Sequence, residues 1–269
     1  MVRSFSSLPV RITHKDAMKK SKINSGASRM ASRWISLCLV AAIALTCLVC
    51  TPEAISSEPD LQLWFPVSFI HPVGEKWAVS MQTELRLKDD ISEFSELVYK
   101  PALNYHFNET FALSVGYKYI DKHQKPNEND IWQEFHINRK RNDLVTGLQF
   151  RLEERLIGDI DGAIAQLRVL QHWSHPIGEG PYYLTGSEAV RFNLNSQGEG
   201  PLAGFEQSRI YAAVGKHIKD HIQFEIGYLW RYEEKRSGDN ASDHVIHFHL
   251  VYNTRNKRIK KPTSRDRYR

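Results

Sequence analysis

The stretch DHVIHFHLVYN, residues 243–253, places three histidines within six positions, and histidine is both the commonest metal ligand and a frequent general base. His247 and His249 have the same parity, so in an extended strand they share one face, whereas His244 points to the other. A zinc site usually needs three or four protein ligands, and two imidazoles on one face do not supply them. The alternation of apolar and polar residues instead predicts a β-strand, and we expect neither a metal nor any other cofactor.

Serine hydrolysis is the second chemistry to consider, because it needs a serine, a histidine and a third group that orients the histidine. The chain offers Ser187 and Ser208 as nucleophiles and His172 and His247 as bases. Their spacing connects none of them, since neighbours across strands cannot be recognised from a single sequence. We therefore predict no catalytic residue and favour a non-enzymatic protein, in which these side chains belong to the lining or rim of a larger structure.

Strands must position these residues, because period-two alternation runs through residues 61–253. Phe224 and Ile226, for example, share one face, with polar residues between and beside them. About eleven such strands can be counted, and the chain after the first fifth shows no helical pattern. Residues 181–195 are rich in aromatic side chains but irregular, which predicts a bulge.

The connections between strands alternate in length. HPVG, FNET, RKRND, IGEG and IKDH are tight, whereas connections such as DKHQKPNEND and NSQGEGPL are longer and more polar. Short turns at one rim and long loops at the other are typical of an up-and-down meander, and in an outer-membrane barrel the short turns face the periplasm.

The length and composition of the strands favour a membrane barrel over a soluble one. Strands of about 11–14 residues match the length that a tilted strand needs to cross a bilayer. Aromatic residues collect near strand ends, as they do at membrane interfaces; they include Trp77, Tyr119, Trp132, Trp173 and Tyr232. The sequence therefore predicts an all-β fold, a transmembrane antiparallel up-and-down β-barrel of about 10–12 strands. Because bacterial single-chain barrels have even strand numbers, ten or twelve strands are expected rather than eleven.

Residues 1–56 have the pattern of a secretory signal peptide, with a basic beginning, an apolar stretch at residues 35–50 and a small-residue exit. Translation could begin at Met18 or Met30, which would shorten the basic beginning. The apolar stretch could instead be an uncleaved anchor, or a lipoprotein signal at Cys50. All three cysteines lie within it, so the barrel that we predict at residues 57–254 needs no disulfide. The expected location is the bacterial outer membrane.

Charge separates the predicted barrel from the end of the chain. Residues 57–254 carry 20 basic and 28 acidic side chains, a net charge of −8, whereas residues 255–269 form a basic tail. The acidic body argues against nucleic acid as a partner. We expect outer-membrane lipid, the barrel-assembly machinery and small polar solutes instead. The tail is either a solvated extension or a contact for anionic lipid or cell-wall polymer.

If the apolar parity faces lipid, the opposite parity lines the lumen, and it is rich in charged and amide side chains. The lumen-lining candidates are Gln82, Glu84, Arg86, Glu134, Gln149, Arg151, Glu153, Arg155, Gln166, Arg168, Glu188, Gln207, Arg209, Glu225, Arg231, His247 and His249. Interleaved arginine and glutamate could fill a narrow lumen as an ion-paired plug, or they could line a solvated pathway that selects solutes.

Several short motifs, taken in order, resemble those of the bacterial outer-membrane β-barrel family known as domain of unknown function 2490. They are Trp64, Glu84-Leu85-Arg86, Gly116-Tyr117-Lys118-Tyr119, Trp132-Gln133-Glu134, RLEER at 151–155, Arg168, SEAVRFN at 187–193, Phe205, Gln207, Arg209 and Gly227-Tyr228-Leu229. The resemblance covers residues 61–253; it implies the architecture and the location and supplies no activity.

The sequence therefore predicts an outer-membrane barrel that is structural or passes small polar solutes through a narrow lumen lined by arginine and glutamate. Two alternatives stay open. One is an outer-membrane hydrolase that acts on lipid or lipopolysaccharide. The other is a periplasmic lipocalin-like binding barrel, in which the apolar faces of the strands would point inward.

Overall fold

The computed structural model describes residues 59–254, and every regular element in this range is a β-strand. The strands are β1 (Asp60–Pro72), β2 (Trp77–Lys88), β3 (Glu93–His106), β4 (Phe111–Lys122), β5 (Glu128–Arg141), β6 (Leu144–Ile157), β7 (Ile164–Pro176), β8 (Tyr182–Asn193), β9 (Gly204–Lys219), β10 (Ile222–Glu233) and β11 (Ala241–Asn253). No helix long and apolar enough to cross a membrane occurs within the described range. The predicted signal peptide and basic tail lie outside it.

The eleven strands form one closed barrel in which each strand is antiparallel to the next. An odd number of alternating strands leaves the first and the last running in the same direction, so the barrel closes through a parallel pair between β1 and β11. The register of this seam runs from Asp60 opposite Asp243 to Ile70 opposite Asn253. The all-β barrel of 10–12 strands is confirmed, whereas the expected even number is corrected to eleven.

The apolar parity of each strand faces outward and the polar parity faces the lumen. In β1, Phe65 and Phe69 are 36% and 42% exposed, whereas Gln62 and Trp64, which have the opposite parity, are 8% and 2% exposed. The same alternation recurs around the barrel, so most of the outer surface is apolar, as on a barrel that contacts lipid. The lipocalin-like alternative requires the opposite arrangement, and the structure contradicts it.

The two rims differ in the length of their connections, as the sequence predicts. We call the end with connections of two to five residues the turn rim; these are residues 73–76, 107–110, 142–143, 177–181 and 220–221. The other end, with connections of four to ten residues, is the loop rim; these are residues 89–92, 123–127, 158–163, 194–203 and 234–240. The chain enters β1 at the loop rim and leaves β11 at the turn rim.

Local irregularities adjust the register at a few points. A bulge between Arg191 and Phe192 shifts the pairing of β8 with β9, and it falls within the region where the sequence predicts one. Outside this bulge β8 is a regular strand from Tyr182 to Asn193. Pro66 in β1 has no N–H group to donate, and the seam register is interrupted beside it, between the pairs of Trp64 and Val67.

Candidate functional site in the barrel lumen

The register places all but one of the predicted lumen residues on the inward parity. In this set are Gln82, Glu84, Arg86, Glu134, Gln149, Arg151, Glu153, Arg155, Gln166, Arg168, Gln207, Arg209, Glu225, Arg231, His247 and His249. Glu188 is the exception, because it stands opposite Gln171 of β7 and Ile210 of β9. Ile210 is 44% exposed on the outer surface, so the inward position expected for Glu188 is corrected to an outward one.

The half of the lumen nearer the loop rim is filled by an ion-paired plug made of Lys118, Glu128, Asp130, Glu153, Arg155 and Glu206. Arg155 Nε lies 2.7 Å from Glu128 Oε1, and its Nη1 lies 2.5 Å from Glu206 Oε1 on the distant strand β9. Lys118 Nζ contacts Asp130 and lies 3.2 Å from Glu153 Oε2, two strands away. Pairs between non-adjacent strands require the side chains to meet across the interior. Three of the acids, Glu128, Asp130 and Glu153, are at most 1% exposed, so water has little access to the centre of the plug.

A belt of arginines lies on the neighbouring strands β6 to β10. Arg168 is the register partner of both Arg151 and Arg191, and Arg209 is the partner of Arg231. Like charges directly opposite each other destabilise a sheet unless counter-charges intervene. Glu134 provides such a counter-charge by contacting both Arg151 and Arg168, and Asp243 provides another by contacting Arg231.

Two members of this belt lack such a counter-charge. Within residues 59–254, neither Arg191 nor Arg209 has a carboxylate oxygen within 4.0 Å. Arg209 donates a 2.5 Å hydrogen bond to the neutral amide oxygen of Gln207, and the buried Nε of Arg191 has no hydrogen-bond partner among the described residues. The Arg209 guanidinium also lies 4.8 Å from the ring of Trp64. Within the described chain, these two guanidinium groups therefore form no direct ion pair with a carboxylate.

Trp64 is the apolar centre of the lumen. The guanidinium carbons of Arg86, Arg209 and Arg231 lie 4.1, 4.8 and 5.5 Å from its ring, distances at which cation–π attraction operates. Its indole nitrogen donates a 3.0 Å hydrogen bond to Gln62. The ring thus holds arginines of β2, β9 and β10 together from its position on β1.

The half of the lumen nearer the turn rim contains several small side chains beside its polar ones, and we call it the vestibule. Ser80, Ala102, Ala112, Ala213 and Gly215 lie on its inward parity. Polar side chains among them are partly accessible to water; His136 and His249, for example, are 19% and 24% exposed. The vestibule is thus polar and partly accessible to water, and the plug lies beyond it.

The structure does not assemble the serine and histidine candidates that the sequence suggests. His172 and Ser187 are register partners inside the lumen, but no hydrogen bond joins them within the described chain. Ser208 lies on the outward parity and is buried, and no residue in the range 59–254 forms a hydrogen bond with its hydroxyl. His247 packs edge-on against Tyr211 at 4.9 Å. The described residues also contain no group of three His, Cys, Asp or Glu side chains that could hold a metal ion.

Sequence reasoning missed several residues that shape the lumen. Trp64 and Lys118 have the inward parity and could have been found by parity alone. The position of Glu206 could not be predicted from parity, because the bulge at Arg191 shifts the register of β9. Ser68 also lies inward. Its contact with His249 of β11 could not be predicted, because it depends on the pairing of β1 with β11 at the seam.

Comparisons with known proteins place this geometry in context. An uncharacterized protein of Methylorubrum extorquens is 26% identical over 219 residues, which span 77% of this chain and 95% of that protein. The crystal structure of the NanC porin matches with a TM-score of 0.48 and 10% identity, covering 73% of this chain and all of the porin chain. The family model described as Protein of unknown function (DUF2490) matches residues 61–242, which include β1 to β10. The chain therefore belongs to the DUF2490 family, as its motifs lead one to expect.

Proposed function

We propose that this protein is a bacterial outer-membrane barrel that admits small polar solutes to the vestibule and restricts their further passage at the ion-paired plug. The observation that carries the proposal is the division of the lumen into a water-accessible half and a half in which three acids are at most 1% exposed. A polar interior behind an apolar outer wall is what a membrane barrel requires, and a narrow charged constriction limits flux.

The uncompensated arginines support a preference for anions within this pathway. Fixed charges in a constriction set which ions enter it, because the low-dielectric wall does little to screen them. Arg191 and Arg209 lie between the vestibule and the plug without a carboxylate within 4.0 Å, so a small anionic solute could take the place of the missing counter-charge.

The structure favours this function over the hydrolysis of membrane lipid. A lipid hydrolase on a barrel must present its nucleophile to the bilayer. Within residues 59–254, the hydrogen-bonded serine–histidine pairs are Ser68 with His249 and Ser114 with His136, and both lie inside the lumen. No observation therefore supports an active site on the lipid-facing wall.

Conductance of the folded protein in a planar bilayer tests the proposal. We expect small discrete steps whose reversal potential in a salt gradient indicates anion selectivity. Arg209→Gln should weaken that selectivity, whereas Arg139→Gln, which removes the same charge from the exposed end of β5, should leave it unchanged. A silent bilayer, from protein shown to be folded by its heat-modifiable gel mobility, would instead mean a purely structural barrel.

A further inference from the structure

Three side chains from β1, β10 and β11 meet in the vestibule. The hydroxyl oxygen of Ser68 lies 3.0 Å from Nε2 of His249, and Nδ1 of the same ring lies 3.7 Å from Oε2 of Glu225. A carboxylate beside Nδ1 favours the tautomer with the proton on that nitrogen, which leaves Nε2 free to accept the serine proton. The order nucleophile, base and orienting acid is that of a serine hydrolase triad.

Glu225 is held in this position by two further strands. The hydroxyl of Tyr183 donates a 2.9 Å hydrogen bond to Oε1, and the hydroxyl of Tyr211 donates a 3.0 Å hydrogen bond to Oε2. With both oxygens bound, the carboxylate has a fixed orientation toward His249. A separation of 3.7 Å is longer than a hydrogen bond, but such contacts often shorten when a catalytic site is occupied.

A second serine–histidine pair in the same lumen lacks this arrangement. Ser114 Oγ lies 2.9 Å from Nε2 of His136, a distance close to that of the first pair. Glu134, however, lies 3.2 Å from the same Nε2 and is also bound by two arginines. The acid therefore competes for the nitrogen that should accept the serine proton and does not orient the ring from the other side. Ser114 thus provides an internal control.

The surroundings of Ser68 suit attack on a carbonyl group. Ser68 is partly exposed, and the side chains of His249 and Glu225 are 24% and 14% exposed, so a small molecule in the vestibule can reach them. Gln82 is the register partner of Ser68, and Lys100 is the partner of Gln82. Within the described chain, Lys100 has no carboxylate within 4.0 Å. An amide and an amine thus lie on the next two strands, on the same inward face as Ser68, as candidates to stabilise an oxyanion.

We propose that Ser68, His249 and Glu225 form a hydrolytic site for small soluble esters that enter from the turn rim. Ser68 Oγ attacks the ester carbonyl carbon and its proton moves to His249 Nε2. That proton passes to the departing alkoxide, which leaves as an alcohol, while the acyl group stays on Ser68. A water molecule then gives a proton to His249 and attacks the acyl carbon. The acid is released and His249 returns the proton to Ser68. This chemistry does not depend on solute passage, so a silent bilayer would leave it standing.

Diisopropyl fluorophosphate tests the proposal, because an activated serine displaces its fluoride and forms a stable phosphorus–oxygen bond. The full chain, folded in detergent, should gain one diisopropylphosphoryl group, and peptide mapping should place the group on Ser68. Ser68→Ala should abolish the labelling. His249→Gln should slow it at least about 100-fold, the usual contribution of a general base. Glu225→Gln should slow it as well, whereas Ser114→Ala should not change it.

Heat-modifiable gel mobility verifies that each variant is folded, so a loss of labelling cannot be confused with a loss of the barrel. Hydrolysis of p-nitrophenyl acetate supplies a second readout with the same order of variants. The proposal is overturned by the absence of label on Ser68 in folded protein. It is equally overturned by label that maps to Ser114, or by a labelling rate that is the same in His249→Gln as in the parent chain.

Discussion

Arg155 joins three strands across the lumen, and its removal should destabilise the barrel strongly. It donates two hydrogen bonds to Glu128, of 2.7 and 3.3 Å, and one of 2.5 Å to Glu206. Glu128 and Glu206 are only 1% and 7% exposed, so neither can recover its lost partner from water. In Arg155→Met the side chain keeps much of its length but loses its charge and its donors.

The expected loss of folding free energy depends on which partners each carboxylate keeps after Arg155 is replaced. Glu128 still has Lys122 at 2.6 Å, so its share of the cost is small. Glu206 keeps only a 2.5 Å hydrogen bond from the neutral amide of Gln166 and becomes a buried charge without a cation. Breaking a buried pair by removing one partner costs about 3–5 kcal/mol. The folding equilibrium should therefore fall by about two to three and a half powers of ten.

Urea titration of the protein in lipid vesicles, followed by tryptophan fluorescence, measures this change. The double variant Arg155→Met/Glu206→Gln should be more stable than Arg155→Met alone, because it no longer leaves Glu206 charged and unpaired. Lys88→Met is the matched control, since it removes a cation 3.2 Å from Glu93 at the half-exposed loop rim and should cost about 0–1 kcal/mol. The reasoning is refuted if Arg155→Met costs no more than Lys88→Met, or if the double variant is the less stable one.

Two further predictions concern the membrane. Val115, which is 45% exposed near the middle of β4, should face lipid, so Val115→Arg should cost about 2–4 kcal/mol in the same titration. Val73→Arg, in the turn after β1, should cost much less, and equal costs would mean that the outer wall is not in lipid. For orientation, Ser237→Cys at the loop rim should react with an impermeant maleimide on intact cells, because the short turns of such barrels are periplasmic. Asp143→Cys at the turn rim should react only after the outer membrane is permeabilised. If Asp143→Cys reacts on intact cells and Ser237→Cys does not, the barrel has the opposite orientation in the membrane.

The strands and their faces could be predicted from the sequence because the face of a side chain depends only on the alternation within its own strand. For this reason the inward positions of Gln82, Arg151 and His249 can be predicted without knowledge of any neighbour. Glu188 faces outward because parity and not charge decides its side, and it lies in the region where the alternation is weakest. The register shows it between Gln171 and Ile210 on the outer face.

Contacts between strands could not be predicted, because they depend on register and closure. Ser68 and His249 are 181 residues apart, and only the seam between the first and last strands brings them together. The expected even number of strands would have made that seam antiparallel and changed every contact along it. Glu206 illustrates the same limit, since a single bulge decides where it lies relative to Arg155. The candidate site therefore follows from topology more than from any local motif.

The parallel seam also limits how the chain can be rewired. In a barrel with an even number of strands, the first and last residues meet at one rim, and a short linker suffices for a circular permutation. Here Asp60 and Asn253 lie at opposite rims, so a linker must run the full height of the barrel. For a barrel that spans a bilayer core of about 30 Å, this takes at least about nine extended residues. Such a linker would run antiparallel to both β1 and β11. Paired with both, it would become a twelfth strand and replace the parallel seam with two antiparallel ones.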